Sequence, residues 1–365
     1  MGEPHRLLVV GSGLIGTSIA LAAQAAGYQV WLDDSDPERL SMAVSIGAGA
    51  RMTPGAGRFD LAVVAVPPAS VATVVEELIA SDLAAIVTHV SSAQLQPQLE
   101  VEARLPVCSQ FVGGHPVAGR ERSGPHHATP DLFAQRPWIV CPTDHSSPEA
   151  TAAVVDLARN CGAVVTVMPA ALHDALIARL SHAPQLVASA LAASLVGLER
   201  SEAALAGNGL RDTSRLADSD AGLWAEIISA NPAPVAAALR TVVEPLNELI
   251  AVLQTGSIEA TSDAVHALIA DGRSGRDLLA GKHGQAAVRW ATVSVIVPDE
   301  PGALARLLAD AANAAVNVED IRVDHSPGQP LGIVELDVSP GRHDSLADAL
   351  VERGWGATAS PPAAD

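Results

Sequence analysis

The chain has 365 residues, 48% of them hydrophobic and 17% charged, a balance that excludes a largely disordered protein and at this length predicts two or three domains. Lys and Arg number 22 against 41 Asp and Glu, a formal net charge of −19. So acidic a chain is repelled by phosphate backbones and anionic lipid, so neither a nucleic-acid nor a membrane partner is expected.

The apolar run Leu7 to Val10 ends at glycine, as a buried parallel strand does. Thr17 to Ala26 reads as a helix stopped by Gly27, and Val30 to Leu32 as the next strand, ending at Asp33-Asp34. The start imitates a signal peptide, with Arg6, an apolar run and Ala23-Gln24-Ala25, but Gly11, Gly13 and Gly16 break the run and speak against one. Leu61 to Val66 and Ala85 to Val90 are further strands, with a helix over Val71 to Ile79 between them. Trp138 to Cys141 and Val164 to Met168 extend the series. Strands alternating with helices predict a doubly wound parallel sheet over residues 1–168. Residues 169–285 turn Ala- and Leu-rich, predicting an all-helical domain, with Leu180 to Leu198 as a buried helix and a Gly-rich linker over 271–289. A β-α-β-β-α order then fills residues 290–358, which predicts a small ferredoxin-like domain, and 361–365 should be a frayed tail.

Gly11-Ser12-Gly13-Leu14-Ile15-Gly16 is G-x-G-x-x-G between a strand and a helix, and Asp34 follows at the end of the next strand. Together they form a dinucleotide fingerprint: glycines admit the pyrophosphate to the helix N-terminus, and the carboxylate takes the ribose hydroxyls. Gly11, Gly13, Leu14, Ile15 and Gly16, with Val66 and Pro67 where a later strand ends, are the candidate cofactor contacts. Asp34 would repel a 2′-phosphate, so NAD is expected over NADP.

Gly113-Gly114-His115-Pro116-Val117-Ala118-Gly119 crowds a histidine with glycines, as where backbone and ligand approach closely. A third cluster holds His173-Asp174, Ser181-His182 and Gly209 to Ala217 with Arg215, followed by Trp224; an arginine in a small, Gly-bounded segment suits a carboxylate. Cys108, Cys141 and Cys161 are odd in number and lack C-x-x-C, which fits a reducing cytoplasm better than disulfides or zinc. Gly275 to Lys282 misses phosphate-loop spacing, and His126-His127 has no ligand partners at metal spacing, so no metal is expected.

These strings resemble the prephenate dehydrogenase family, which includes arogenate dehydrogenases, and Asp299 to Leu304 with Val316 to Ile321 resembles an ACT regulatory domain. The resemblance implies a Rossmann domain, a helical dimerisation domain and a C-terminal ACT domain. It implies NAD-dependent oxidative decarboxylation of prephenate to 4-hydroxyphenylpyruvate, with arogenate as alternative substrate. It assigns His115 as acceptor for the substrate C4 hydroxyl, Ser92 as a contact of His115 and substrate, and Arg215 as carboxylate holder. Glu121 and Asp212 become gating acids, and His182 and Trp224 line the pocket. His89 and Gln94 depart from the family, which has Asp and Lys there. A homodimer is implied, and feedback by tyrosine is expected through Gly302 and Asn317. A catalytically silent sensor is the rival class, and retention of His115, Ser92 and Arg215 argues against it.

Overall fold

The computed structural model describes residues 5–118, 124–279, 290–325 and 330–362. They form two compact units, Met1–Ser194 with Thr213–Glu244, and Leu195–Asp212 with Pro245–Asp365.

The first unit is built on eight strands: β1 (Arg6–Val10), β2 (Gln29–Asp33), β3 (Ala50–Arg51), β4 (Phe59–Val64), β5 (Ala84–His89), β6 (Phe111–Pro116), β7 (Pro137–Pro142) and β8 (Val164–Val167). Their order is β3-β2-β1-β4-β5-β6-β7-β8, parallel throughout except between β6 and β7. Leu7 and Val9 pack with Ile19 and Leu157 on one face, while Leu8 packs with Val71 and Val75 on the other. A sheet buried on both faces needs continuous apolar strands, which is what these sequences supply. The strand order reverses between β1 and β4, so their C-terminal ends open a crevice, the usual ligand position in such sheets.

Helices follow the sheet at Ala170–Ile177 and Ala183–Ala193, joined by one π-helical turn over Ala178–His182. Pro184 lacks the N–H an α-turn would use, and the Ala183 N–H reaches back five residues to the Ala178 carbonyl. That turn buries His182 completely. The expected buried helix over Leu180 to Leu198 is corrected here: only one stripe, including Ala183, Gln185 and Ala188, is covered. Leu180, Val196 and Leu198 are exposed.

In the second unit, the helix Ile258–Asp277 runs through the first part of the expected linker. Gly272 and Gly275 sit inside it at modest helical cost, so the linker reading fails for 271–277; 280–289 lie outside the described residues. The C-terminal domain has strands β9 (Ala291–Pro298), β10 (Val318–His325), β11 (Leu331–Val338) and β12 (Gly356–Ser360), all antiparallel neighbours in the order β10-β11-β9-β12. Helices Ala303–Asn313 and His343–Glu352 cover one face through Leu307, Leu346 and Leu350. This is the ferredoxin-like arrangement the sequence predicts, completed by a sixth element, β12, that the periodicity did not reveal. Among the described residues no helix is long and apolar enough to cross a membrane, and no cluster of His, Cys, Asp and Glu could hold a metal ion.

Candidate active site

The glycine motif turns directly off β1. Gly11 has φ +98°, and a Cβ there would stand 2.3 Å from the Ala65 carbonyl oxygen. At Gly16 a Cβ would stand 1.9 Å from the Gly11 oxygen, so this glycine lets the helix Leu14–Ala25 press against the loop. Gly13 is different: nothing lies within 4 Å of the position its Cβ would take. It is the N-cap of that helix and provides no side-chain cap for the first-turn N–H groups. Leu14 and Ile15 form the half-buried first turn.

A cleft of about 1160 Å³ runs along the ends of β1 and β4, lined by Gly11, Asp33, Asp34, Arg39, Val66 and Pro67 among others. Asp34 accepts from the Ser12 N–H at 2.6 Å and the Ser12 hydroxyl at 2.8 Å, which fixes the loop, and from the Asp36 N–H at 2.8 Å. Glycine loop, helix N-terminus and acidic strand end are therefore the donor and acceptor set a dinucleotide requires. Arg39, which the sequence reading did not single out, adds a cation to this cleft.

His115 lies on β6, in a strand rather than a turn. Glycines precede it for a packing reason: a Cβ at Gly113 would stand 2.4 Å from Gln94 Oε1 and 3.1 Å from His89 Nε2. The two departures from the family pattern meet at this spot. Both are fully buried and neither pairs with the other: Gln94 Nε2 donates to the Ser91 and Gly114 carbonyls at 2.7 and 2.8 Å. An amide thus ties β6 to the turn after β5. His89 Nδ1 accepts from the Ser91 N–H at 3.3 Å, and the ring stacks on Phe111.

His115 Nδ1 lies 2.8 Å from His173 Nε2, and His173 Nδ1 lies 2.8 Å from Asp174 Oδ1. Asp174 also accepts from the N–H groups of Gln94 and Leu95, at 2.8 and 2.9 Å. Asn231 Nδ2 donates to the Asp174 carbonyl at 2.9 Å and lies 3.5 Å from His182 Nδ1. Burial holds His115 well below the usual histidine range. Burial likewise brings His89 down to about 3 and His182 to about 4, the latter against the attraction of Asp174. These imidazoles are neutral at neutral pH.

The histidine cluster makes the fold acid-sensitive. The unfolded chain takes up protons near pH 6.5 that native His89 refuses, so stability present above pH 6.5 is lost as pH falls towards 3. For this ring alone the slope is about 1.4 kcal/mol per pH unit. Denaturant midpoints measured between pH 7.5 and 5 should fall, and His89→Gln should flatten the slope; equal slopes would contradict the assignment.

Ser92 is half-buried and makes no hydrogen bond among the described residues; His115 Nδ1 turns to His173 instead. The His182 and Trp224 rings meet edge to face at 6.1 Å. Arg215 opens a 3-10 turn, Arg215–Ala217, that Gln185 Nε2 pins by its 2.6 Å bond to the Leu216 carbonyl. Asp212 is exposed on the helix Asn208–Ser214, and Glu121 lies outside the described residues. In the C-terminal domain Gly302 has φ +88° and open space around its missing Cβ, at the start of a helix. The Asn317 amide donates to Glu319 at 2.5 Å. Sequence reasoning noticed His173-Asp174 but gave it no role, and it missed Asn231; the only signal was an adjacent His-Asp pair.

Comparison with known proteins agrees with this geometry. The family profile described as prephenate dehydrogenase, nucleotide-binding domain, matches residues 19–167, and that of the prephenate dehydrogenase dimerization domain matches 169–267. A probable prephenate dehydrogenase of Streptomyces niveus, NovF, is 32% identical over 355 residues, covering 95% of this chain and 98% of that protein. The prephenate dehydrogenase of Lactococcus lactis is 24% identical over 359 residues, covering 94% and 96%. Among solved structures, Aquifex aeolicus prephenate dehydrogenase, crystallised with hydroxyphenyl propionate and NAD+, superposes with a TM-score of 0.66 and 26% identity. That match covers 75% of this chain and 99% of the other. A nucleotide cleft, a histidine held on β6 of the same sheet and a relative matched along nearly its whole length lead to one conclusion: the chain belongs to the prephenate dehydrogenase family.

Proposed function

We propose that the protein is an NAD-dependent prephenate dehydrogenase, which oxidatively decarboxylates prephenate to 4-hydroxyphenylpyruvate. The observation that carries this reading is the neutral His115, whose Nδ1 is engaged by His173 while its Nε2 makes no hydrogen bond among the described residues. Bound NAD supplies the hydride acceptor, and the glycine loop, Asp34, Val66 and Pro67 are the residues that would hold it. His115 Nε2 accepts the proton of the C4 hydroxyl as hydride leaves C4, and loss of CO2 makes the ring aromatic. Arg215 grips a substrate carboxylate. Ser92, with no partner among the described residues, is available to the substrate, and His182 and Trp224 form a wall. Arogenate has the same ring chemistry, so initial rates of NAD reduction on prephenate and arogenate, side by side, test the assignment. A higher kcat/KM on prephenate is expected; preference for arogenate would move the activity to that substrate.

Cofactor choice follows from Asp34. Wild type should prefer NAD, and Asp34→Ser should reduce that preference ~10-fold or more, because carboxylate repulsion goes while Arg39 remains beside a 2′-phosphate. Both KM values should rise, since Ser12 loses its anchor, so the ratio is the readout. A wild type that uses NADP equally well would contradict the role of Asp34.

We further propose a homodimer. The helix Pro232–Thr255 exposes Val243, Leu246, Ile250 and Leu253, a stripe at helical spacing that a second copy would cover. Tyrosine is proposed to act through the C-terminal domain at Gly302 and Asn317. Removing residues from Ala291 onward should leave an active enzyme that tyrosine no longer inhibits; unchanged competitive inhibition would place tyrosine in the active site.

A further inference from the structure

We propose that His173 and Asp174 are positioning residues that set the tautomer of His115 and leave its Nε2 as the proton acceptor. The inference rests on the reaction assigned above, and it begins at Asp174. This carboxylate is 2% exposed and receives three donors. Oδ1 takes the Gln94 N–H and His173 Nδ1, and Oδ2 takes the Leu95 N–H. The Gln94 side chain does not cap the helix Leu95–Arg104; Asp174, reaching in from another helix, does. The carboxylate is therefore fixed from both sides and cannot rotate away from His173.

An ionised carboxylate only accepts, so at 2.8 Å His173 Nδ1 must carry a proton. We take His173 as the neutral Nδ1–H ring, so its Nε2 has a lone pair, and it faces His115 Nδ1 at 2.8 Å, the rings crossing at 70°. His115 Nδ1–H donates into that lone pair. The remaining nitrogen of His115, Nε2, is then bare. Without the pair, either nitrogen of His115 could hold the proton, and the Nε2–H form would present the substrate hydroxyl with a second donor.

The same chain serves the reaction as it proceeds. The proton leaving the C4 hydroxyl arrives at Nε2, the hydride goes to the nicotinamide, and the electrons of the breaking C–CO2 bond enter the ring. His115 is then an imidazolium whose Nδ1–H donates more strongly to His173, and the charge is balanced by Asp174 two bonds further on. The arrangement differs from a serine-protease triad in that a second imidazole stands between base and carboxylate. A longer reach is needed because Asp174 lies on the helix Ala170–Ile177 and not on the sheet that carries His115.

The test combines a spectroscopic readout with kinetics on the full-length protein. Ring nitrogens of 15N-histidine-labelled protein are recorded near pH 7.5, with His115 assigned by its loss in His115→Asn. Wild type is expected to show His115 protonated at Nδ1 and bare at Nε2. His173→Phe should abolish that preference and lower kcat ~100-fold with KM changed less than ~3-fold. His173→Gln places an amide oxygen near the lost Nε2, so it should restore the Nδ1–H form and at least ~10-fold of the rate. A wild-type His115 protonated at Nε2, or a folded His173→Phe with unchanged kcat, overturns the proposal. The wild-type spectrum decides even if His173→Phe fails to fold. An Nδ1–H signal in a protein that turns over neither prephenate nor arogenate supports the positioning and overturns the reaction assigned above.

Discussion

His115→Asn is expected to lower kcat by ~10²–10⁴-fold while leaving KM within a few-fold, the pattern of an interaction made mainly in the transition state. Asn keeps a polar group opposite His173, so the strand and its neighbours should hold, but it cannot take the hydroxyl proton. The ring it replaces is neutral at neutral pH, held there by burial. Wild-type activity should therefore persist below the pH at which an ordinary histidine is lost as a base. Arg215→Ala should give the opposite pattern, a raised KM, because a charge-assisted contact of ~1.5–3 kcal/mol is made equally in ground and transition states. Steady-state kinetics of the two variants check both statements. If Arg215 governed only kcat and His115 only KM, the two roles would be exchanged.

The second large effect lies in the glycine loop, where two residues of one motif should fail in different ways. Gly16→Ala puts a Cβ 1.9 Å from the Gly11 oxygen and 3.0 Å from the Ala65 Cβ, and the first atom belongs to backbone that cannot swing aside. The loop must separate from the helix Leu14–Ala25, which should cost roughly 3 kcal/mol or more and lower Tm by ~6–12 °C. Gly13→Ala meets nothing within 4 Å, and its φ of −71° suits any residue, so only the poorer N-cap preference of Ala counts and stability should fall by about 0.5–1 kcal/mol. The added methyl instead occupies space in front of the helix N-terminus, and NAD affinity should fall ~10-fold or more. Thermal melts with and without NAD, together with NAD titration, separate the cases. A Gly13→Ala protein that melts as early as Gly16→Ala, or binds NAD as wild type does, would contradict this division of labour.

What could be read from the sequence was local. The glycine spacing and Asp34 lie within one strand–helix–strand unit, so their chemistry follows from short-range pattern. The strands β1, β4 and β5 announce themselves as apolar runs because both faces are buried. β6 does not: Gly113, Gly114 and Pro116 have poor strand propensity, and pairing with β5 and β7 overrides it. β12, Gly-Ala-Thr-Ala-Ser, is short and small, and it is held by register with β9 rather than by side-chain bulk. Gly272 and Gly275 suggest a linker by composition, yet Ser257 caps the helix Ile258–Asp277 and the helix continues through both. The π turn before Pro184 could be anticipated only as a break, not as the device that turns His182 inward. The bond between His115 and His173 crosses 58 residues of sequence, and no periodicity encodes it. The same holds for Gln94, which looked like a lost lysine and is a buried amide tying Ser91 to Gly114.

The central claim, that His115 takes a proton while C4 gives up hydride and the ring loses CO2, is tested most directly with prephenate deuterated at C4. With wild-type protein and NAD, one deuterium should appear in the reduced nicotinamide for each CO2 released, and His115→Asn should slow both products by the same factor. Release of CO2 without deuterium in the nicotinamide, or a His115→Asn protein that forms labelled product at the wild-type rate, would contradict the account.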